Sequence, residues 1–428
     1  MKFQTIKGTA DRLPGQAARW NRVLAVTRRV LERAGAGEIH TPVFEETGVF
    51  LKGVGESSDI VRKEMYRLSD RGDRDLTLRP EATAPIVRAY IQHGMKVMPA
   101  PVKLWTFEPM FRAENVQKGR ERQFHQIGLE IIGLEDPVAD AEAIDLGLTM
   151  LEELGIRGLT LHLGSVGDAG DRDEYNRYLR ETLSPAAGRL SPDSQERLRL
   201  NPMRIVDSKD GRDQAILREL SVRPMLDFLG SAAAEHFRAV QDLLRGFGRE
   251  FQVDPTIVRG LDYYRRTAFE VKHPGIGAQS TVLAGGRYDG LVELMGGQPT
   301  PGVGWGAGME RILLAQDADG VPQPEQQRPL AYLIPLDAES VTDAARAARA
   351  VRAAGPALQA YRPRPVGKSL ADAEKAGARF AVLIGSSERE SGLASVKELA
   401  TREQSSVPFE QLPAWLAERA AAGGEAGK

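Results

Sequence analysis

Residues 111–130, FRAENVQKGRERQFHQIGLE, bring an arginine, carboxylates and an aromatic ring to either side of a basic, glycine-containing turn. The flanks alternate, as two strands joined by a long cationic loop would, with Arg112 on the outgoing strand and Phe124 on the returning one. A guanidinium there can neutralise phosphate charge, and a ring opposite can stack on a base. Taken alone, the window also fits a surface hairpin with a solvated turn.

A second cluster, VRGLDYYRRTAF (258–269), sets Arg259, Asp262, Tyr263 and Tyr264 around Gly260. Tyrosines and a carboxylate can hold a small polar ring by hydrogen bonds. An aromatic core strand with solvated arginines fits this piece equally well. AGGRYDGL (284–291) adds Tyr288, and PGVGWGAGMER alternates Gly302, Gly304, Gly306 and Gly308 ahead of Arg311. Alternate glycines strip one face of an extended segment, so a flat ligand or another backbone can approach. Two other glycine patterns carry no chemistry. Gly367-Lys368-Ser369 ends like a phosphate-binding loop, but Arg362 stands where its first glycine belongs. Gly302-x-Gly304-x-x-Ala307 lacks the βαβ unit of a dinucleotide site.

Periodicity supplies the elements that must hold these residues. Positions 15–34 carry Trp20, Val23, Leu24, Val30 and Leu31 at helical spacing, with Gly35 as a stop. GEIHTPVFEE is expected to be one strand interrupted by Pro42. Residues 74–92 form strand, turn and helix, with Glu81, Ala82 and Thr83 at the turn. Strands are expected at 102–111, 123–133 and 158–164, and a helix at 138–154. Charged, helical segments with breaks at Ser184-Pro185, Ser191-Pro192 and Asn201-Pro202 fill 171–250. Residues 317–329 are a polar linker. Beyond it, strands LAYLIPL and FAVLIG alternate with helices at 339–354, 366–377 and 408–422, an α/β pattern.

Composition narrows the function. The 428 residues include no cysteine and six histidines, none paired at helical metal-ligand spacing. Disulfides, thiolate metal sites and cysteine nucleophiles are excluded, and no resident metal is expected. Net charge is −2, so a polyanionic partner must meet local basic patches. The N-terminus has no apolar signal core and no stretch is long enough to span a membrane, so a cytoplasmic location is expected.

In order, TPVFEE, LRPEATAP, FRAE…RQFHQIGLE, RGLDYY, AGGRYDGL and GVGWGAGMER resemble the motifs of the class II aminoacyl-tRNA synthetases, and among them the histidyl-tRNA synthetases. KSLADAEKAGARFAVLIG resembles that family's anticodon-binding module. The resemblance implies an α+β fold: an antiparallel-sheet catalytic domain (1–170 and 251–316), a helical insertion (171–250), the linker 317–329 and a C-terminal α/β anticodon-binding domain (330–428). It also implies a homodimer, L-histidine, ATP and tRNA(His) as substrates, and Mg2+ accompanying ATP.

Roles follow by position. Arg112 and Arg259 would neutralise the α-phosphate and the attacking carboxylate. Glu81, Ala82 and Thr83 would hold the α-ammonium, and Gln126, Glu130, Tyr263, Tyr264 and Tyr288 would line the amino-acid pocket. Phe124 and Arg311 would sandwich adenine, with Glu114 beside the nucleotide and Arg120 on the outer phosphates. Gln117 would touch the tRNA acceptor end, and Arg362, Arg364 and Lys368 the anticodon arm. Regulatory paralogues typically lose the terminal domain and the Arg-Gly-Leu-Asp segment; this chain keeps both.

Overall fold

A computed structural model describes residues 3–55, 58–258, 261–277, 280–324 and 328–423. The chain forms two compact units, Met1–Gln323 and Pro324–Lys428.

In the first unit, α1 (Pro14–Arg33) buries Trp20, Val23, Val30 and Leu31, the stripe its apolar period sets. GEIHTPVFEE does not make one strand. It divides into β1 (Gly37–Glu38) and β2 (Phe44–Glu46), which join different sheets. The split is local: Arg79 Nη1 captures the Thr41 carbonyl at 2.7 Å, pulling the chain around Pro42 out of line. Helix α2 (Thr47–Val54), β3 (Tyr66–Ser69), β4 (Asp75–Leu78) and α3 (Thr83–Gln92) follow, and β2-β4-β3 form a small antiparallel sheet.

The main sheet begins with β5 (Val102–Phe111) and β6 (Gln123–Ile132), paired over their whole length from Val102–Ile132 to Phe111–Gln123. Helix α4 (Val138–Glu153) and β7 (Thr160–Ser165) come next. Five helices then intervene: α5 (Ala169–Leu183), α6 (Pro192–Leu200), α7 (Met203–Val206), α8 (Gly211–Glu219) and α9 (Ser231–Gly246). The chain returns through β8 (Gln252–Val253), β9 (Arg265–Lys272), β10 (Thr281–Arg287), α10 (Leu291–Leu294), β11 (Gly302–Gly308) and α11 (Met309–Ala318). Helix α11 runs into the stretch expected to be linker.

The eight strands lie in the order β1-β5-β6-β11-β10-β9-β7-β8. Pairing is antiparallel from β5 to β7 and parallel only at the two short edges. Side chains on alternate faces divide the sheet chemically. Ile127, Leu129 and Ile131 of β6 and Val303, Trp305 and Ala307 of β11 enter the core with residues of α1, α4 and α9. Trp305 Nε1 donates to the Ala143 carbonyl of α4 at 2.8 Å, fixing that helix across the sheet. The other face holds the site.

The second unit has the mixed sheet β13-β12-β14-β15-β16, built from β12 (Ala331–Pro335), β13 (Ala357–Gln359), β14 (Phe380–Ile384), β15 (Leu393–Glu398) and β16 (Gln404–Pro408). Helices α12 (Val341–Val351), α13 (Val366–Lys375), α14 (Ser386–Ser391) and α15 (Leu412–Gly423) complete it. The α/β expectation covers β12 and β14, which pair in parallel. It misses the antiparallel β15–β16 hairpin, so residue 408 ends a strand rather than starting the last helix. Among the described residues, no helix is long and apolar enough to cross a membrane.

Candidate active site

Strand register builds the floor of the site. Glu130 pairs with Gly304 and Gly304 with Gly286; one step along the same face, Gly128 pairs with Gly306 and Gly306 with Ala284. The second row has almost no side chains, and a cavity of about 670 Å³ opens above it. Its wall includes Arg112, Glu114 and Arg120 of the β5–β6 loop, Phe124, Gln126 and Glu130 of β6, Glu81, Ala82 and Thr83 before α3, Tyr263 and Tyr264, and Arg311 of α11. Residues up to 230 positions apart in sequence therefore share one hollow.

At one end, the turn before α3 places two carboxylates together. Glu81 accepts from the backbone N–H of Thr83 at 2.7 Å and of Ala84 at 2.9 Å, capping the helix. The Thr83 hydroxyl donates to Glu130 Oε1 at 2.7 Å. Burial pushes Glu130 up to about 8, against the lowering effect of Tyr288 and Thr83, and nearby Glu81 adds to the rise. Burial raises Glu81 too. Tyr263 and Tyr264 pack with ring centroids 4.7 Å apart, and burial holds the Tyr263 hydroxyl well above its ordinary pKa. This end is a small, polar, enclosed pocket.

At the other end, positive charge gathers. The Arg112 guanidinium lies 5.1 Å from the Phe124 ring centroid, and its Nε donates to the Pro80 carbonyl at 2.9 Å. Arg120 pairs with Glu114 at 2.8 Å. Arg311 donates to the carbonyls of Thr281 at 2.8 Å and Gly119 at 3.2 Å. Burial first, then the neighbouring Arg120 and Arg112, pull Arg311 below the usual guanidinium range. Such a cluster is suited to a polyphosphate.

Two sequence-predicted residues stand off the wall. Tyr288 is 1% exposed and lies behind Glu130 rather than facing the cavity. Gln117 sits on the exposed tip of the loop, bridged to Arg120 in a tight turn. Arg259, with Gly260, lies outside the described residues. In the second unit, Arg362, Arg364 and Lys368 are exposed at the entry to α13.

The wall also contains residues that sequence reasoning passed over. Glu270 of β9, opposite Ala284, lines the cavity, as do Arg204, Asp207 and Lys209 from the α7–α8 stretch. Strand alternation from Ala268 could have placed Glu270. No local pattern marks the helical contribution, which depends on tertiary docking. Arg172 of α5 makes that dock, donating to the carbonyls of Asp262 at 3.0 Å and Tyr264 at 2.9 Å.

The family model described as Histidyl-tRNA synthetase matches residues 8–312, and that for an Anticodon binding domain matches 331–419. The chain is 53% identical over 416 residues to the Histidine--tRNA ligase of Thermus thermophilus, covering 97% of this chain and 99% of that one. It is 52% identical over 427 residues to the ligase of the same name from Deinococcus radiodurans, covering 97% and 100%.

The chain belongs to the histidyl-tRNA synthetase family.

Solved histidyl-tRNA synthetases agree in architecture. The apo S. aureus enzyme superposes with a TM-score of 0.81 at 31% identity, covering 97% of this chain and 100% of that one. The Nostoc enzyme shares the fold at 21% identity, with a TM-score of 0.67 and coverage of 98% and 100%. The family match spans the whole cavity floor, from β6 to β11.

Proposed function

We propose that this histidyl-tRNA synthetase activates histidine with ATP and transfers it to the 3′ end of tRNA(His). The histidine carboxylate attacks the α-phosphate; its oxygen bonds to phosphorus, and pyrophosphate leaves with the bridging electrons. A ribose hydroxyl of the terminal adenosine then attacks the acyl carbon, releasing AMP. The attacking carboxylate is already ionised, so positioning and charge neutralisation supply the rate.

The observation that carries this reading is the single cavity with opposed ends. The enclosed end fits histidine. Glu81 and Thr83 meet the α-ammonium, Glu130, Gln126 and Tyr264 surround the imidazole, and Tyr263 closes the pocket. A substrate without ring nitrogens leaves these buried groups unpaired, which is a strong basis for rejection. The cationic end fits ATP. Arg112 meets the α-phosphate, Arg120 the outer phosphates, and Phe124 with Arg311 the adenine. Arg259 is assigned to the α-phosphate from its sequence position alone. Mg2+ takes one or two carboxylates plus phosphate oxygens. Of the carboxylates that line the cavity, Glu114 and Glu270 would hold the ion, which would supply positive charge against the phosphates.

Gln117 on the loop tip is assigned to the acceptor end, and exposed Arg362, Arg364 and Lys368 to the anticodon arm. A homodimer is supported by Val43, Phe44 and Leu68, apolar side chains exposed on or beside the small β2-β4-β3 sheet. A cytoplasmic location follows from the tRNA substrate. ATP–pyrophosphate exchange assayed with each of the twenty amino acids tests the assignment. Exchange is expected with histidine alone; exchange with another amino acid, or with none, overturns it.

A further inference from the structure

Gly302 and Gly304 begin the glycine-rich strand β11, but no cavity space lies above them. A Cβ added at Gly302 would overlap the Tyr288 ring, with Cζ at 2.7 Å, and would meet no other group among its nearest atoms. A Cβ at Gly304 would overlap the Glu130 carboxylate, with Cδ at 2.7 Å, and the Leu129 carbonyl. On the neighbouring strand, a Cβ at Gly286 would stand 2.8 Å from Cδ1 of Tyr264. At Gly306 and Gly308 the nearest atoms begin at 3.5 and 3.7 Å, ordinary contact distances. The same motif thus does two jobs. Its second half leaves open floor, and its first half holds the protein's own side chains.

The seated groups form a chain. Tyr288 is 1% exposed and Glu130 2% exposed. Among the described residues, neither the Tyr288 hydroxyl nor Glu130 Oε2 completes a hydrogen bond, though the hydroxyl is close enough to lower the Glu130 pKa. Asp289 ties the seat together by accepting from the Gly302 N–H at 3.0 Å and from Arg287 at 3.2 Å.

We propose that Gly302 and Gly304 are specificity-determining positions: they seat Tyr288 and Glu130, so that Tyr288, a positioning residue outside the cavity, aims the Glu130 carboxylate at the substrate ring. The inference rests on the histidine assignment above. The Glu130 carboxylate, buried beside the Tyr288 hydroxyl, keeps an oxygen able to accept a ring N–H. Displacing the carboxylate by about 1 Å is enough to cost up to about a hundredfold.

The test is pyrophosphate exchange by the full chain and by Gly302→Ala and Tyr288→Phe, with KM measured separately for histidine and ATP. Both variants are expected to raise the histidine KM by about tenfold or more and to leave the ATP KM within about twofold. Tyr288→Phe keeps the ring and so the fold. Because the hydroxyl lowers the Glu130 pKa, its loss is also expected to move the pH profile of histidine binding to higher pH. If Gly302→Ala does not fold, Tyr288→Phe decides alone. An unchanged histidine KM, an equal rise in both KM values, or an unmoved pH profile in Tyr288→Phe overturns the inference. Wild-type protein that fails to activate histidine would instead overturn the assignment on which it rests.

Discussion

Glu130 concentrates the electrostatic cost of the site. A carboxyl raised to about 8 by burial binds a proton in the folded chain at pH values where the unfolded chain has released it. Between an unfolded value near 4.5 and about 8, the native state holds more protons, so stability falls as pH rises through that window. Burial acts on Glu81 in the same sense. Glu130→Gln is therefore expected to flatten the decline by up to on the order of 1 kcal/mol per pH unit, with a residual slope from Glu81. Urea melts of the ligand-free protein at pH 5, 6, 7 and 8 measure it; parallel curves for both proteins would refute it. Arg112 makes a second prediction at this scale. Its guanidinium faces the nucleotide end, so Arg112→Ala is expected to lower kcat for pyrophosphate exchange about 10²–10³-fold. Histidine affinity by calorimetry should change little. A loss confined to histidine affinity would move Arg112 out of its role.

Strands and helices decide which of these residues meet. Arg287 of β10 and Asp140 of α4 form a fully buried ion pair, and His236 of α9 approaches Asp140 at 3.4 Å. Three elements far apart in sequence are pinned at one point, and nearby Arg287 and His236 hold Asp140 below the carboxylate range despite its burial. Removing one member strands the other in the core. Arg287→Ala is expected to lose about 3–5 kcal/mol in urea unfolding; a loss under about 1 kcal/mol would show that water repairs the gap. The pair also shows where reading a sequence stops. The strands β5, β6 and β7, and the extended glycine segment that forms β11, were legible because alternation fixes a side chain's face from its neighbours. Arg287 stood inside a legible motif, yet its partner is 147 positions away. The breaks near Ser191 and Asn201 were visible too. What they serve was not: Ser191, Ser194 and Ser208 donate their hydroxyls to buried Asp213 at 2.7, 2.6 and 2.6 Å. The α7–α8 wall was missed for the same reason, since docking between distant segments leaves no local period, whereas Glu270 lies where strand alternation from Ala268 puts it. Tyr288 was expected on the wall; its ring packs over Gly302 instead.

For the whole molecule, the division near residue 323 leaves each unit with hydrophobic clusters of its own. Leu333, Phe380, Val382, Ile384, Val396, Leu412 and Leu416 pack within the second unit alone. A fragment spanning residues 324–428 is expected to unfold cooperatively by itself, and the complementary 1–323 fragment to retain pyrophosphate exchange while losing transfer to tRNA. Thermal circular dichroism and the two assays check this; a molten 324–428 fragment would show that the second core needs the first. The row Gly128, Gly306 and Ala284 has a consequence for anyone reprogramming this enzyme. A bed made almost wholly of peptide groups has only the Ala284 methyl to trim, and each methyl added to it fills cavity space. Room for a bulkier amino acid must therefore be carved from the tyrosine walls. Combinatorial libraries aimed at the strands beneath are expected to return the parental sequence.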